Sequence, residues 1–462
     1  MLIASLLAYA AGLILLGWWS SRHATASDFF VAGRRLSPTL LAGTLIAANI
    51  GAGSTVGAAG LGYRDGIAAW WWVGSAGVGS VALALWVGPR IWRAAVAGDH
   101  RTLGDYLHAR FGAEVRGLMA ALLWVGSLAI LAAQLIALAG LLETVAGVPR
   151  AWGCVIGGLV STLYFATGGL LSSATVNAVQ VVVLVVGLTL AIPWTWPAAG
   201  LAASLPATVP SGYWHPLSDG PSGIVYLALL GPSFVVSPGL VQKVYGARDE
   251  RAVRLGVMAN AVVLLVFAAI PPLLGMLARV GHPDLANHEL ALPVMLRDDL
   301  PTWLGALALA ALFSAEVSTA DAVLFMLSTS LARDLYAGHL RPGASQADQL
   351  RVVRIASVVS GALGVGVAIW AGSIVTSLKL FYSVLSAGLF VPVMAGLFVR
   401  RAGRADALTS MLAGIITTAV LHVATGGVGV AGLAPVVWGL VASCAALGVS
   451  LLLAAPARPA EG

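Results

Sequence analysis

Glu316 and Asp321 stand five residues apart in a stretch, 310–336, that is otherwise apolar enough to cross a bilayer. A charge at the membrane centre costs about 2.5–3.5 kcal/mol on insertion scales, so it faces protein or water instead of lipid. Wound as a helix at about 100° per residue, the stretch puts Ala315, Ser318, Thr319 and Ala322 on one face. Glu316 and Asp321 fall on opposite flanks of that face. The result is a stripe of two hydroxyls and small side chains with an acid on either side. Hard cations take oxygen ligands, and such a stripe can supply them inside a membrane. The hydroxyls could instead bond back to helix carbonyls and pack against a neighbour. The flanking acids and an interrupted partner segment, below, favour the ion.

The chain that carries this stripe has 462 residues, 59% of them hydrophobic and 10% charged, with mean hydropathy +0.93. Soluble domains carry roughly 25% charge, so the chain reads as an all-α polytopic membrane protein. The 55 glycines suit helices that approach closely through small residues. A pI near 9.6 does not point to nucleic acid, because Lys and Arg sit in short loops between apolar runs, a pattern of membrane orientation. The expected partners are the bilayer and a small solute; nothing calls for an obligatory protein partner. Cys154 and Cys444 lie in apolar context without metal-ligand spacing and read as inert buried thiols.

Thirteen apolar segments are long enough to span, at about 2–19, 37–61, 68–92, 117–145, 151–165, 175–194, 222–245, 252–280, 302–331, 352–370, 374–399, 405–423 and 430–455. The fifth is the shortest. The first has no basic residue before it, and Arg22 and His23 follow it. It therefore reads as a retained helix with its N-terminus outside, although Ala24-Thr25-Ala26 mimics a cleavage site. Thirteen spans then put the C-terminus in the cytoplasm of a cell that carries the protein in its plasma or inner membrane. On this threading Arg64, Arg150, Arg279, Arg297 and Lys379 lie outside, and the other 20 of the 25 Lys and Arg, Lys243 among them, lie inside. That asymmetry supports both count and orientation. The run 102–111 has Leu103, Tyr106, Leu107 and Arg110 on one face and reads as a short interfacial helix. The stretch 197–221, rich in Pro, Gly and Ser, reads as an irregular external cover.

Two spans carry breakers near their middles. The second opens on Ser37-Pro38, a good helix start, and then meets Asn49-Ile50-Gly51-Ala52-Gly53-Ser54. The seventh contains Gly231-Pro232 and Ser237-Pro238-Gly239. Open backbone at membrane depth is tolerated only where it lines a cavity or is buried in protein. Broken spans at matching places, five segments apart, point to an inverted-repeat secondary transporter.

With these segments placed, the chain resembles the sodium:solute symporter family, which includes proline, pantothenate, sugar, sialate and monocarboxylate carriers. The resemblance covers nearly the whole chain. Leu45-Ile46-Ala47-Ala48-Asn49-Ile50 resembles the family's first core helix. Thr102-Leu103-Gly104-Asp105-Tyr106-Leu107 through Arg110-Phe111-Gly112 resembles the loop after its second core helix, and 310–336 resembles its eighth. The resemblance implies a LeuT-type fold. Two inverted five-helix repeats, about 37–194 and 222–399, would carry one extra N-terminal and two extra C-terminal helices in a single transporter domain. It also implies a sodium site made by the carbonyls of Ala47, Ile50 and Ala315 and the hydroxyls of Ser318 and Thr319. Many relatives have an Asp in the fifth core helix that serves a second sodium in some; here Asn177 takes that place. Glu316 and Asp321 are the acids available for coupling instead. The solute would bind beside the two breaks. Candidate contacts are Gly51, Ser54, Thr55, Trp72, Gln134, Ser233, Ser237, Gln242, Phe381 and Tyr382. A half-helix N-terminus after Gly53 would favour an anionic group, and the Ser-Thr-Ala-Asp spelling looks closer to the proline and pantothenate branches.

The expected function is thus sodium-coupled import of a small organic solute, an amino acid or other carboxylate, by alternating access. A proton-coupled or sugar carrier of the same fold is the alternative within the class. A membrane hydrolase using Glu316 and Asp321 is disfavoured, because about 140° of helix separates them and they do not converge. A transporter-like sensor would carry a signalling domain beyond Ala455, and none is expected there.

Overall fold

A computed structural model of the protein describes residues 32–166, 170–197, 200–205, 209–217 and 222–453, with 11, 12 and 15. The first apolar segment and its basic flank lie outside the described residues. The later segments are all helical: α1 (Pro38–Asn49), α2 (Ala58–Asp65), α3 (Trp70–Ala82), α4 (Gly88–Gly98), α5 (Leu103–Phe111), α6 (Ala113–Ala146), α7 (Arg150–Ala166), α8 (Leu170–Thr195), α9 (Ser222–Val236), α10 (Pro238–Tyr245), α11 (Glu250–Phe267), α12 (Ile270–Gly281), α13 (Ala291–Asp298), α14 (Thr302–Ser330), α15 (Gln346–Trp370), α16 (Ile374–Ser383), α17 (Val391–Phe398), α18 (Arg404–Thr425) and α19 (Pro435–Leu453). No strand occurs among the described residues. Nine helical runs there are long and apolar enough to cross a membrane, two of them joining helices through a π turn, at Leu83–Val87 and Val384–Phe390.

The two breaks have local causes. Ser37 accepts the Leu40 N–H at 3.3 Å, with Pro38 in the first turn of α1. α1 ends at Ile50 (φ −103°, ψ 87°), and helix resumes through a π turn, Gly53–Gly57, into α2. α9 and α10 part at Ser237, because Pro238 has no N–H to offer the helix before it. Pro232 stays inside α9.

Packing then sets what each helix faces. α1 lies against α11, α2 against α12, α9 against α3, and α3 against α11. α6 packs on α7, α14 and α15. The contacts come in counterparts: α8 lies against α1 and α14 as α16 and its continuation lie against α9 and α6. Gly275 lets α12 run against the Ala59 carbonyl of α2, where a Cβ would collide with it. α18 and α19 form a hairpin against the Val384–Phe390 turn. Burial separates centre from rim. In α14, 94% of the most apolar window is enclosed by protein, against 22% in α18 and 17% in α19. The helix with two acids therefore sits in the middle of the molecule, and the hairpin faces lipid.

Three expectations change in detail. α5 forms with a Thr102–Asp105 capping box, but Leu103, Tyr106 and Leu107 are covered by protein, because α6 packs directly onto that face. It is a packed loop helix, not one resting on lipid. In the cover, Tyr213 is buried; its hydroxyl donates to Gly62 O at 2.9 Å and its carbonyl accepts the Ile67 N–H at 3.0 Å, so this stretch is pinned to the end of α2. Cys154 is buried, whereas Cys444 lies on the exposed side of α19.

Candidate functional site

The hydroxyl stripe of α14 meets α1 where α1 ends. Ser318 Oγ lies 3.1 Å from Ala47 O and 3.0 Å from Ala315 O of its own helix, with one hydroxyl proton for the two; Thr319 Oγ1 lies 3.2 Å from Ala47 O. Two hydroxyls and two carbonyls from helices 270 residues apart in sequence are thereby gathered in one buried cluster. The Ala47 carbonyl is accessible to them because the break leaves no residue 51 N–H to claim it: that N–H bonds the Ser54 hydroxyl at 3.0 Å. Ile50 is fully buried and caps α1, and its non-helical ψ turns its carbonyl out of the helix ladder.

The opened backbone is satisfied by side chains, as buried polar groups must be. Gln134 Oε1 on α6 accepts the Ala52 N–H at 2.8 Å. Trp72 Nε1 on α3 donates to Gly53 O at 2.9 Å. Ser54 Oγ donates to Asn49 O at 2.9 Å. Thr55 Oγ1 lies 2.9 Å from both Gly51 O and Glu316 Oε1, with one hydroxyl proton for the two acceptors. Glu316 is fully buried, and its second carboxylate oxygen has no hydrogen-bond partner among the described residues. Asp321, also buried, is engaged by its surroundings. The two acids thus do different things, one tied to the α1–α2 break and the other on the far flank of the stripe.

A cavity opens beside both breaks, with about 70 Å³ open to the centres of water-sized molecules. At roughly 10–15 Å³ per water this is room for about five waters, or for a small solute. Of the sequence candidates, Gly51, Ser54, Trp72, Gln134, Ser237, Phe381, Tyr382 and Thr319 line it. Three others lie elsewhere. Thr55 is turned toward Glu316. Ser233 is buried with its hydroxyl on Leu229 O and, at 2.8 Å, on Tyr382 O, so it ties α9 to α16. Gln242 faces a smaller pocket with Thr329, Ser330 and Asp334. Trp72 packs edge-on to Tyr226 and Tyr382, at 5.3 and 6.1 Å between centroids, which makes an aromatic wall. The side chain of Asn177 on α8 lies outside the described residues.

Three residues passed over in the sequence belong here. Asn49 donates to Asn260 Oδ1 at 3.0 Å, and Asn260 donates to Ser80 Oγ at 3.3 Å, a polar chain across three helices at the cavity's edge. Asn260 had a signal, an amide inside the eighth apolar segment. Lys243, counted above with the Lys and Arg of the inner side, is 3% exposed and lines the cavity. It stands in the last turn of α10, inside the 222–245 span, where neighbouring helices cover it.

A model of the sodium:solute symporter family matches residues 29–414. The sodium/pantothenate symporter of Escherichia coli (strain K12) is 28% identical over 429 residues, covering 86% of this chain and 84% of that one. The sodium/proline symporter of Haemophilus influenzae is 24% identical over 447 residues, covering 88% and 86%. Among solved structures, a Na+-coupled sialic acid symporter in a substrate-bound, outward-open state superposes with a TM-score of 0.80 at 20% identity, over 99% of this chain and 98% of that one. At that identity the likeness shows the fold.

Proposed function

Since the chain belongs to the sodium:solute symporter family, a family of membrane transporters and not enzymes, we propose that it is a secondary active symporter. It couples the entry of sodium to import of a small organic solute, an amino acid or other carboxylate, by alternating access. The observation that carries this is the meeting of the Ser318 and Thr319 hydroxyls with the Ala47 carbonyl at a helix break. The ion's ligands are the carbonyls of Ala47, Ile50 and Ala315 and those two hydroxyls. Five uncharged oxygens suit a weakly held monovalent cation and would hold calcium poorly. The counterpart contacts of α8 and α16 support two five-helix repeats, 37–194 and 222–399, with the ion at their junction. The relatives named for pantothenate and proline lend weight to a carboxylate solute.

In proteoliposomes an inward sodium gradient should drive accumulation of at least one solute from a set spanning pantothenate, proline and short monocarboxylates. Initial rates should depend on sodium with a Hill coefficient close to one, because Asn177 replaces the acid of a second site, and Asn177→Asp should raise it. Uptake driven equally by a proton gradient without sodium would overturn the sodium coupling; a coefficient close to two would overturn the single site. Orientation is tested separately. A reporter inserted at 400–403 should report the cytoplasm and one near Ser211 the outside; both on one side would overturn the thirteen-span threading.

A further inference from the structure

Lys243 is in the last turn of α10, 3% exposed, on the wall of the cavity shared with Gly51, Trp72 and Tyr382. Its ammonium forms no ion pair within 4.0 Å and no hydrogen bond among the described residues. It lies over the Phe325 ring, 5.8 Å from the centroid, a weak attraction for a cation. Asp321 is the acid whose charge reaches it, from beyond ion-pair distance. Taking an ammonium out of water is costly, and inside a membrane protein such a group persists where a counter-charge meets it.

Several of the other polar groups around the cavity are already committed. Gln134 Oε1 holds the Ala52 N–H, Trp72 Nε1 holds Gly53 O, and Ser54 Oγ holds the break closed. Phe234, Leu240 and Met326 add apolar surface to the wall. Lys243 is thus a donor with three N–H bonds to give, on the wall of a small and mainly apolar space.

We infer that Lys243 is the anion subsite of the transported solute, which carries a single carboxylate on a small, mainly apolar body. This rests on reading the cavity as the solute site. The carboxylate takes charge-assisted hydrogen bonds from the ammonium, and the aromatic wall takes the body. A zwitterion whose ammonium must share the cavity with Lys243 fits less well than a simple acid. The substrate class therefore narrows from amino acids toward monocarboxylates.

The test compares acids with their own amides. Propionate, lactate and pantothenate are each set beside the corresponding amide, with glucose as a neutral solute, at saturating sodium. Binding is read from intrinsic tryptophan fluorescence, Trp72 being in the wall, and sodium-driven uptake from proteoliposomes. At least one acid should bind about tenfold or more tighter than its amide, the worth of one hydrogen bond to a charge. Lys243→Gln should remove that preference while the sodium-induced signal persists; Lys243→Arg should keep the preference. The inference is overturned if glucose or an amide binds as well as every acid, if nothing in the set binds, or if Lys243→Gln keeps the acid's full affinity. Each of those results can stand beside intact sodium binding, which leaves the symporter reading in place. Loss of the sodium signal in the wild type would strike the symporter reading instead. Should Lys243→Gln not fold, the acid–amide comparison in the wild type and Lys243→Arg still decide the matter.

Discussion

Thr319→Ala should raise the sodium concentration for half-maximal uptake about ten- to a hundredfold, and Ser318→Ala should do the same. Both hydroxyls lie within 3.2 Å of the Ala47 carbonyl, on the one face of α14 that meets the end of α1. A cation among these oxygens takes a lone pair from each hydroxyl and turns the protons away. Removing one hydroxyl deletes about one ligand in five and leaves the remaining dipoles unbalanced. A lost hydrogen bond to a charged partner is worth about 1.5–3 kcal/mol, which gives the stated range. The ion ties two helices of different halves together, so it favours one conformation and raises solute affinity by linkage. At saturating sodium the variants should recover most of that affinity, because the sites are linked and not shared. Ser328 is the control. Its hydroxyl bonds back to Leu324 O at 2.6 Å, three turns along α14, and Ser328→Ala should change little. Unchanged sodium dependence in Thr319→Ala would place the ion elsewhere.

Gly51→Ala should cut sodium-driven uptake about ten- to a hundredfold while the protein remains folded. A Cβ at residue 51 would stand 2.6 Å from Gln134 Oε1 and would overlap the Thr319 side chain. Neither neighbour can give freely. Gln134 holds the Ala52 N–H, and Thr319 is bound to the Ala47 carbonyl. Overpacking at such a point costs about 1–3 kcal/mol. Here that cost falls on the break and the ion's ligands, so sodium affinity should fall together with rate. Gly366→Ala on α15, where nothing lies within 4 Å of the new methyl, is the matched control. Thermal unfolding separates a local fault from a global one. Wild-type uptake by Gly51→Ala would mean that this contact opens during transport and constrains nothing.

Much of this site could be read from short spacings. Helical period alone puts Ser318 and Thr319 on one face of α14. Two glycines flanking Ala52, and a proline after Ser237, are enough to interrupt a span, because each acts on its own backbone. The composition of the apolar runs determines that the chain is a bundle of membrane helices. These are local effects, and a linear chain carries all the information they need.

The fate of each polar side chain is different in kind. Thr55 and Ser54 are adjacent in the chain, yet one faces Glu316 and the other closes the break. Ser233 looked like a solute contact and instead joins α9 to α16, through a carbonyl 149 residues away. Gln134 finds its partner 82 residues back, at Ala52. Lys243 looked like an orienting cation at the end of a span, and only the packing of α10 against its neighbours turns it into the wall of a cavity. The sequence by itself determined the helices, their interruptions and the hydroxyl stripe. The tertiary structure decided which donors and acceptors are spent on the protein and which remain for an ion or a solute, because a hydrogen-bond partner is chosen by distance in space, and helix packing sets that distance without regard to separation along the chain.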